Sequence, residues 1–164
     1  MLLVDFEGRT NLIERGLIRG LSQFVADKYF PRHKVHILFK MSSILEENDG
    51  VEGDTTWEYN DKDDEPFLPI SNDSRPRCFV IRLQKGYNTE TLLTLIAHEL
   101  VHVKQYVLGD LKQIYNKSQN EFVTFYKSKN VSKMEYWKQP FEKEAYRLQD
   151  KIVKEYLKHI NSII

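Results

Sequence analysis

The sequence predicts an α+β domain: a small, mainly antiparallel sheet, a helix carrying a cluster of polar residues, and a C-terminal helix. Three observations predict it. Apolar residues recur at helical spacing near both ends of the chain and again before residue 108. Short alternating stretches with strand periodicity lie between them. The order is helix, strands, helix, an irregular or β stretch, then helix, with no regular βαβ alternation. At 164 residues the chain is expected to form one domain over 1–164, long enough for a core of its own.

The elements follow in order. Asn11 with Glu14 three residues later has the form of a capping box, and Ile13, Leu17, Leu21, Phe24 and Val25 recur behind it. They predict a helix over 11–29, stopped by Pro31. Val35, Ile37, Phe39 and Met41 alternate with His36, Leu38 and Lys40, as a strand requires. Asn48, Asp49, Gly50 and Gly53 mark a turn region, 55–60 reads as a short strand, and 60–66 is a loop by composition. The clearest strand is 77–84, with Phe79, Ile81 and Leu83 on one face and Lys85–Gly86 ending it. Asn88 or Thr89 caps a helix over 89–107 that ends near Gly109. Residues 111–117 and 121–127 read as a strand pair on their β-branched and aromatic content, with short helix as the alternative. Pro140 opens a final helix over 141–160, whose stripe is Phe141, Ala145, Leu148, Ile152, Tyr156 and Leu157.

Composition narrows the function classes. Hydrophobic residues make up 41% and charged ones 29%, an ordinary globular balance. Lys+Arg and Asp+Glu both total 24, so net charge argues for neither nucleic acid nor a membrane surface as partner. The acidic run 46–65 and the basic run 127–133 read as solvated loops. The single cysteine, Cys78, allows no internal disulfide and fits a reducing compartment. The first residues have no secretory pattern and no stretch is apolar enough for a membrane span, so the expected location is the cytoplasm, or a host's cytoplasm if the gene is viral.

Chemistry concentrates in "TLIAHELVHVKQY", residues 94–106. His98 and His102, four apart, lie one above the other on a helix face, where two imidazoles can close on one metal ion. Glu99 is one residue round, beside such an ion, where a carboxylate can take a proton from water that the ion activates. Leu92, Leu93, Leu95, Ile96, Ala97, Leu100, Val101 and Val103 make the helix apolar nearly all round, hence buried. Two histidines and a glutamate inside it need partners, and a metal supplies one. Satisfied core histidines are the competing reading. Catalytic zinc takes three protein ligands, and the third is sought in "YWKQPFEKEAYRLQD". At about 100° per residue, Glu142 falls roughly 55° from the centre of the apolar stripe and Glu144 roughly 105°, toward solvent. Glu142 is favoured and Glu144 is the competitor.

"HELVH" followed by a helical glutamate with alanine three later (Glu142, Ala145) resembles the gluzincin metallopeptidases, in the neighbourhood of the minimal ImmA-like and SprT-like domains. The resemblance covers about 79–150. It implies a zincin-like domain, a zinc ion (Zn2+) held by His98, His102 and Glu142, Glu99 as general base, and a peptide or protein substrate. It also implies that strand 77–84 borders the cleft and pairs with an extended peptide. There are departures. Many gluzincins place an acid four residues after the glutamate ligand to orient a histidine, and here that position is Tyr146. SprT-like proteins use a third histidine, and the later one here, His159, sits near the C-terminus in a solvated segment. Gln105 is a candidate partner of His102. Tyr146, Tyr136 and Tyr106 are candidates to steady an oxyanion, Tyr146 being favoured, and Asp150, His33 and His36 read as exposed or structural. Cys78, in "PRCFVI", does not fit the cysteine ligand of peptide deformylases and reads as a small buried thiol. The expectation is thus a zinc peptidase with no membrane and no nucleic-acid partner and an open oligomeric state. The alternatives are a non-catalytic, metal-stabilised binding module and a SprT-like protease acting on DNA-associated proteins.

Overall fold

Leu2, Val4 and Phe6 are half-buried while Leu3, Asp5 and Glu7 are exposed, an alternation of period two that places β1 at Leu2–Glu7. A computed structural model describes residues 1–8, 10–57 and 75–162 of the chain. After β1 comes α1, Leu12–Tyr29, opened by the expected capping box: Asn11 accepts from the Glu14 amide at 2.8 Å and the Glu14 side chain accepts from the Asn11 amide at 3.3 Å. The helix ends at Phe30, just before Pro31. β2 is Val35–Ser42, the short helix α2 is Leu45–Asp49, β3 is Gly53–Trp57 and β4 is Cys78–Gln84.

These four strands form one sheet in the order β1-β2-β4-β3. β1 pairs with β2 and β2 with β4 in parallel, whereas β3 lies antiparallel to β4, so the main sheet is mixed. Two expectations are corrected here. β1, α1 and β2 form a parallel strand–helix–strand unit not expected from the sequence, whose first residues alternate too briefly to signal a strand. β4 has β2 on one side and β3 on the other, so both its edges are already paired and it has none to offer a peptide; among the described residues β3 forms the edge. Residues 58–60 of the expected strand 55–60, the loop at 60–66 and the end of the acidic run lie outside the described residues.

α3, Thr89–Leu108, runs from Asn88, whose side chain accepts from the Thr91 amide at 2.9 Å, to Gly109. Gly109 has φ 81°, a left-handed conformation that ends the helix at no steric cost to glycine. It leads into β5 (Leu111–Asn116) and β6 (Glu121–Tyr126), the expected strand pair, which with β7 (Lys129–Asn130) forms a second, antiparallel sheet. A 3₁₀ turn at Tyr136–Lys138 precedes α4, Pro140–Asn161, with Pro140 in the first turn. Val35, Ile37, Phe39, Phe79, Ile81 and Leu83 turn one sheet face toward α1 and α3, and that layer holds the core. Ile96, Ala97, Leu100, Val101, Val103 and Val107 of α3 are fully buried. At about 2 kcal/mol for each larger side chain, this burial offsets the cost of the polar residues the same helix takes inside.

Candidate metal centre

The polar residues of α3 meet the first turns of α4. His98, Glu99, His102 and Glu142 are 8%, 4%, 8% and 6% exposed, so the fold has buried four titratable side chains together. His98 Nε2 lies 3.2 Å from His102 Nε2. Glu142 Oε2 lies 3.3 Å from His98 Nε2, and Glu142 Oε1 3.5 Å from His102 Nε2. Among the described residues these three form a group whose candidate ligand atoms all lie within 4.8 Å of one another. Pro140 starts α4 where it does, and the start places Glu142 opposite the histidines. Glu144 does not join them, and it does not face solvent as its angular position implied. Its side chain is 12% exposed and pairs with Lys104 Nζ at 2.9 Å on α3. The helix–helix packing on that flank encloses a position that an isolated helical wheel leaves open.

The contacts of Gln105 fix the tautomer of one imidazole. His102 Nδ1 faces Gln105 Oε1 at 2.9 Å. The Gln105 amide nitrogen donates to the Phe141 carbonyl and to Glu144 Oε2, both at 2.9 Å. Both targets are acceptors, so the amide cannot be turned the other way, and its oxygen must accept from His102 Nδ1–H. His98 Nδ1 faces Gln149 Oε1 at 2.9 Å. With Nδ1 protonated on each ring, as ligation through Nε2 requires, both Nε2 atoms would turn lone pairs toward the space that the Glu142 carboxylate also faces. Three electron pairs converging in a buried space attract positive charge, a metal ion or, without one, a proton. The spacing fits one divalent ion: tetrahedral bonds of about 2.0–2.1 Å imply ligand separations of roughly 3.3 Å. α4 thus supplies a third metal ligand, Glu142, to the pair on α3.

Without an ion, the electrostatics show the same convergence. Burial pushes the Glu142 carboxyl up, but hydrogen bonds and charge from both histidines and the Tyr136 hydroxyl hold it down at about 2. Burial pulls His102 down, and Glu142 and Glu99 more than offset this, leaving it above its ordinary value. Glu99 is raised, burial being the main cause, against the lowering effect of His102 and Thr55.

Glu99 is held from the sheet. Thr55 Oγ1 on β3 donates to Glu99 Oε2 at 2.7 Å and is 3.2 Å from the Glu99 carbonyl. A Cβ on Gly53 would stand 3.2 Å from Glu99 Oε1, so the strand approaches the other carboxylate oxygen closely at a residue without a side chain. A cavity of about 690 Å³ opens over His98 and Glu99, with Gly50–Gly53 and the first turns of α3 on one wall and Tyr136, Tyr146 and Gln149 on the other. The Tyr136 hydroxyl donates to Glu142 Oε2 at 2.9 Å; burial and the Glu142 charge push its pKa up, so it stays a donor. The Tyr146 ring stands edge-on to His98 with centroids 4.6 Å apart.

Other candidates lie elsewhere. Tyr106 is buried against Trp57 and Phe79, away from the cavity lining. Cys78 is exposed at the start of β4, not the buried thiol expected. His36 pairs with Asp5 at 2.9 Å, His159 packs on Phe24, and Asp150 is exposed. Sequence reasoning found His98, Glu99, His102, Glu142 and Gln105. It missed Thr55 and Gln149. Gln149 carried a signal, since it follows Glu142 by seven residues, two turns along the same face. Thr55 carried none, being 44 residues from its partner.

The mixed α+β fold, the paired histidines of a buried helix and a carboxylate arriving from the C-terminal helix make a zincin-like arrangement. No protein-family model, no curated protein and no solved structure matches the chain.

Proposed function

We propose that this protein is a zinc-dependent peptidase of the gluzincin type, acting on peptide or protein substrates. The observation that supports it best is the combination of three converging ligands with a fourth buried group, Glu99, that is not part of the ligand set and faces an open cavity. A structural metal site closes its shell with protein ligands, whereas a catalytic one leaves a position toward solvent and places a base there. A divalent ion held by His98, His102 and Glu142 supplies Lewis acidity, polarising a carbonyl and making water a stronger acid.

Glu99 takes the proton of the attacking water and returns it to the leaving amine. Its raised pKa suits this traffic, since a carboxylate with an ordinary pKa is a poor proton acceptor near neutrality. Thr55 fixes one of its oxygens and leaves the other to accept the proton. Tyr146, on the cavity wall beside His98, donates to the oxyanion that develops on the substrate. Tyr136 holds Glu142 in place. The substrate lies extended along β3, the edge strand beside Glu99 among the described residues, by strand addition.

Glu99→Gln tests the reading. The amide keeps the shape and cannot accept the proton, so peptide hydrolysis falls by about 10²–10⁴-fold while zinc stoichiometry is unchanged. Full hydrolytic activity in that variant removes the mechanism.

A further inference from the structure

The two histidines are held by two glutamines, and the two amides are not equivalent. Gln105 is closed: its oxygen faces His102, and its nitrogen is spent on the Phe141 carbonyl and Glu144. Gln149 is open. Its oxygen lies 2.9 Å from His98 Nδ1, the residue lines the cavity with Glu99, Tyr136 and Tyr146, and its amide nitrogen donates to no described residue. The orientation is forced. If His98 Nε2 is a ligand its lone pair points at the ion, so Nδ1 carries the proton and only the amide oxygen can accept it. The NH2 group is then turned away from the imidazole, toward the cavity.

A carboxylate would hold Nδ1–H at least as well, because a charged acceptor makes the stronger hydrogen bond. The amide differs from it in one respect, the two N–H donors beside the reaction space. A donor there matches one group of an extended peptide, a backbone carbonyl. We propose that Gln149 is a positioning residue with two functions: its oxygen fixes His98 for metal ligation, and its nitrogen donates to a backbone carbonyl of the bound peptide. The first function rests on ion binding alone, and the second rests on the peptidase reading above. Gln149 thereby does from α4 the work that the resemblance assigns to an acid at the position of Tyr146, and adds a contact to substrate that an acid cannot make.

Two variants separate the functions: Gln149→Ala removes both, and Gln149→Glu keeps the acceptor and removes the donor. The metal-free proteins are titrated with Zn2+ against a chromophoric chelator. The zinc-loaded proteins are titrated calorimetrically with a peptide hydroxamate and with acetohydroxamate, which carries no peptide carbonyl. In Gln149→Ala zinc affinity falls about 10–100-fold. In Gln149→Glu zinc affinity equals or exceeds that of the native protein, while peptide hydroxamate binds about tenfold more weakly and acetohydroxamate as before. Unchanged zinc affinity in Gln149→Ala overturns the positioning function. Unchanged affinity for the peptide hydroxamate in Gln149→Glu overturns the donor function and leaves the peptidase reading standing. A native protein that binds zinc but no peptide hydroxamate overturns the donor function together with that reading, and the zinc affinity of Gln149→Ala still decides the rest.

Discussion

At the scale of single residues, the centre depends on who holds Glu99. Among the described residues Thr55 donates to its carboxylate, and that hydrogen bond lowers a pKa which burial raises. Thr55→Val keeps the shape and deletes the donor. The Glu99 pKa then rises further, so the base is protonated over a wider acidic range. The acid limb of the pH–rate profile moves to higher pH, and kcat/KM falls roughly tenfold at pH 6 and less at pH 8. An unshifted limb would mean that another group sets it. Gly53→Ala acts on the other oxygen. Its methyl would meet Glu99 Oε1 at 3.2 Å and the Arg82 carbonyl at 3.3 Å, and neither can retreat freely. The carboxylate is displaced by a few tenths of an ångström, and hydrolysis falls about tenfold with zinc affinity unchanged. His98, Glu99 and His102 were legible because their relation is local, fixed by helical periodicity. Thr55 and Gly53 were not, because a strand's register against a distant helix is written in no short stretch.

At the scale of elements, α3 and α4 are locked by a polar cluster beside the metal ligands. Glu144 accepts from Lys104, Gln105 and the Tyr126 hydroxyl, drawing together both helices and β6. Burial pushes its carboxyl up, but the hydrogen bonds from Gln105, Lys104 and Tyr126 and the Lys104 charge hold it below the usual range. Glu144→Ala leaves Lys104, whose side chain is 12% exposed, with an unpaired charge and leaves the Gln105 amide held by the Phe141 carbonyl alone. The variant loses roughly 3 kcal/mol of stability by denaturant unfolding, and its zinc affinity falls although no ligand was touched. A stability loss with native zinc affinity would separate the cluster from the centre. The sequence showed the helices and the strand pair through their caps and periodicities. It did not show this lock, since an angle on one helix says nothing of what the next helix brings. The N-terminal strand went unread for a different reason: six residues alternating only between half-buried and exposed give a weak strand signal.

At the scale of the whole molecule, the ion and the proton compete for one place, and folding stability records the contest. In the metal-free protein, His102 has a pKa above its ordinary 6.5, so its charged form stabilises the fold fully below that value and the contribution is lost as pH rises through the raised pKa. Glu142, depressed from 4.5 to about 2, contributes stability above 4.5 and loses it as pH falls toward 2. The two windows overlap from about pH 4.5 to above 6.5, where a protonated His102 faces an ionised Glu142 in the place an ion would fill. Together these two groups therefore stabilise the metal-free fold most in weak acid, and the His102 contribution is lost toward alkaline pH. A bound ion reverses the trend. It requires His102 neutral, so its affinity grows as pH rises through the same range. Zinc at a hundred times its dissociation constant adds about 2.7 kcal/mol, or roughly 5–10 °C in Tm for a chain of this size. Thermal melts with zinc and with chelator at pH 5, 6, 7 and 8 show the difference between them small at pH 5 and widening steadily to pH 8. A difference independent of pH would mean that the ion does not displace a proton from His102, and that the three side chains are not its ligands.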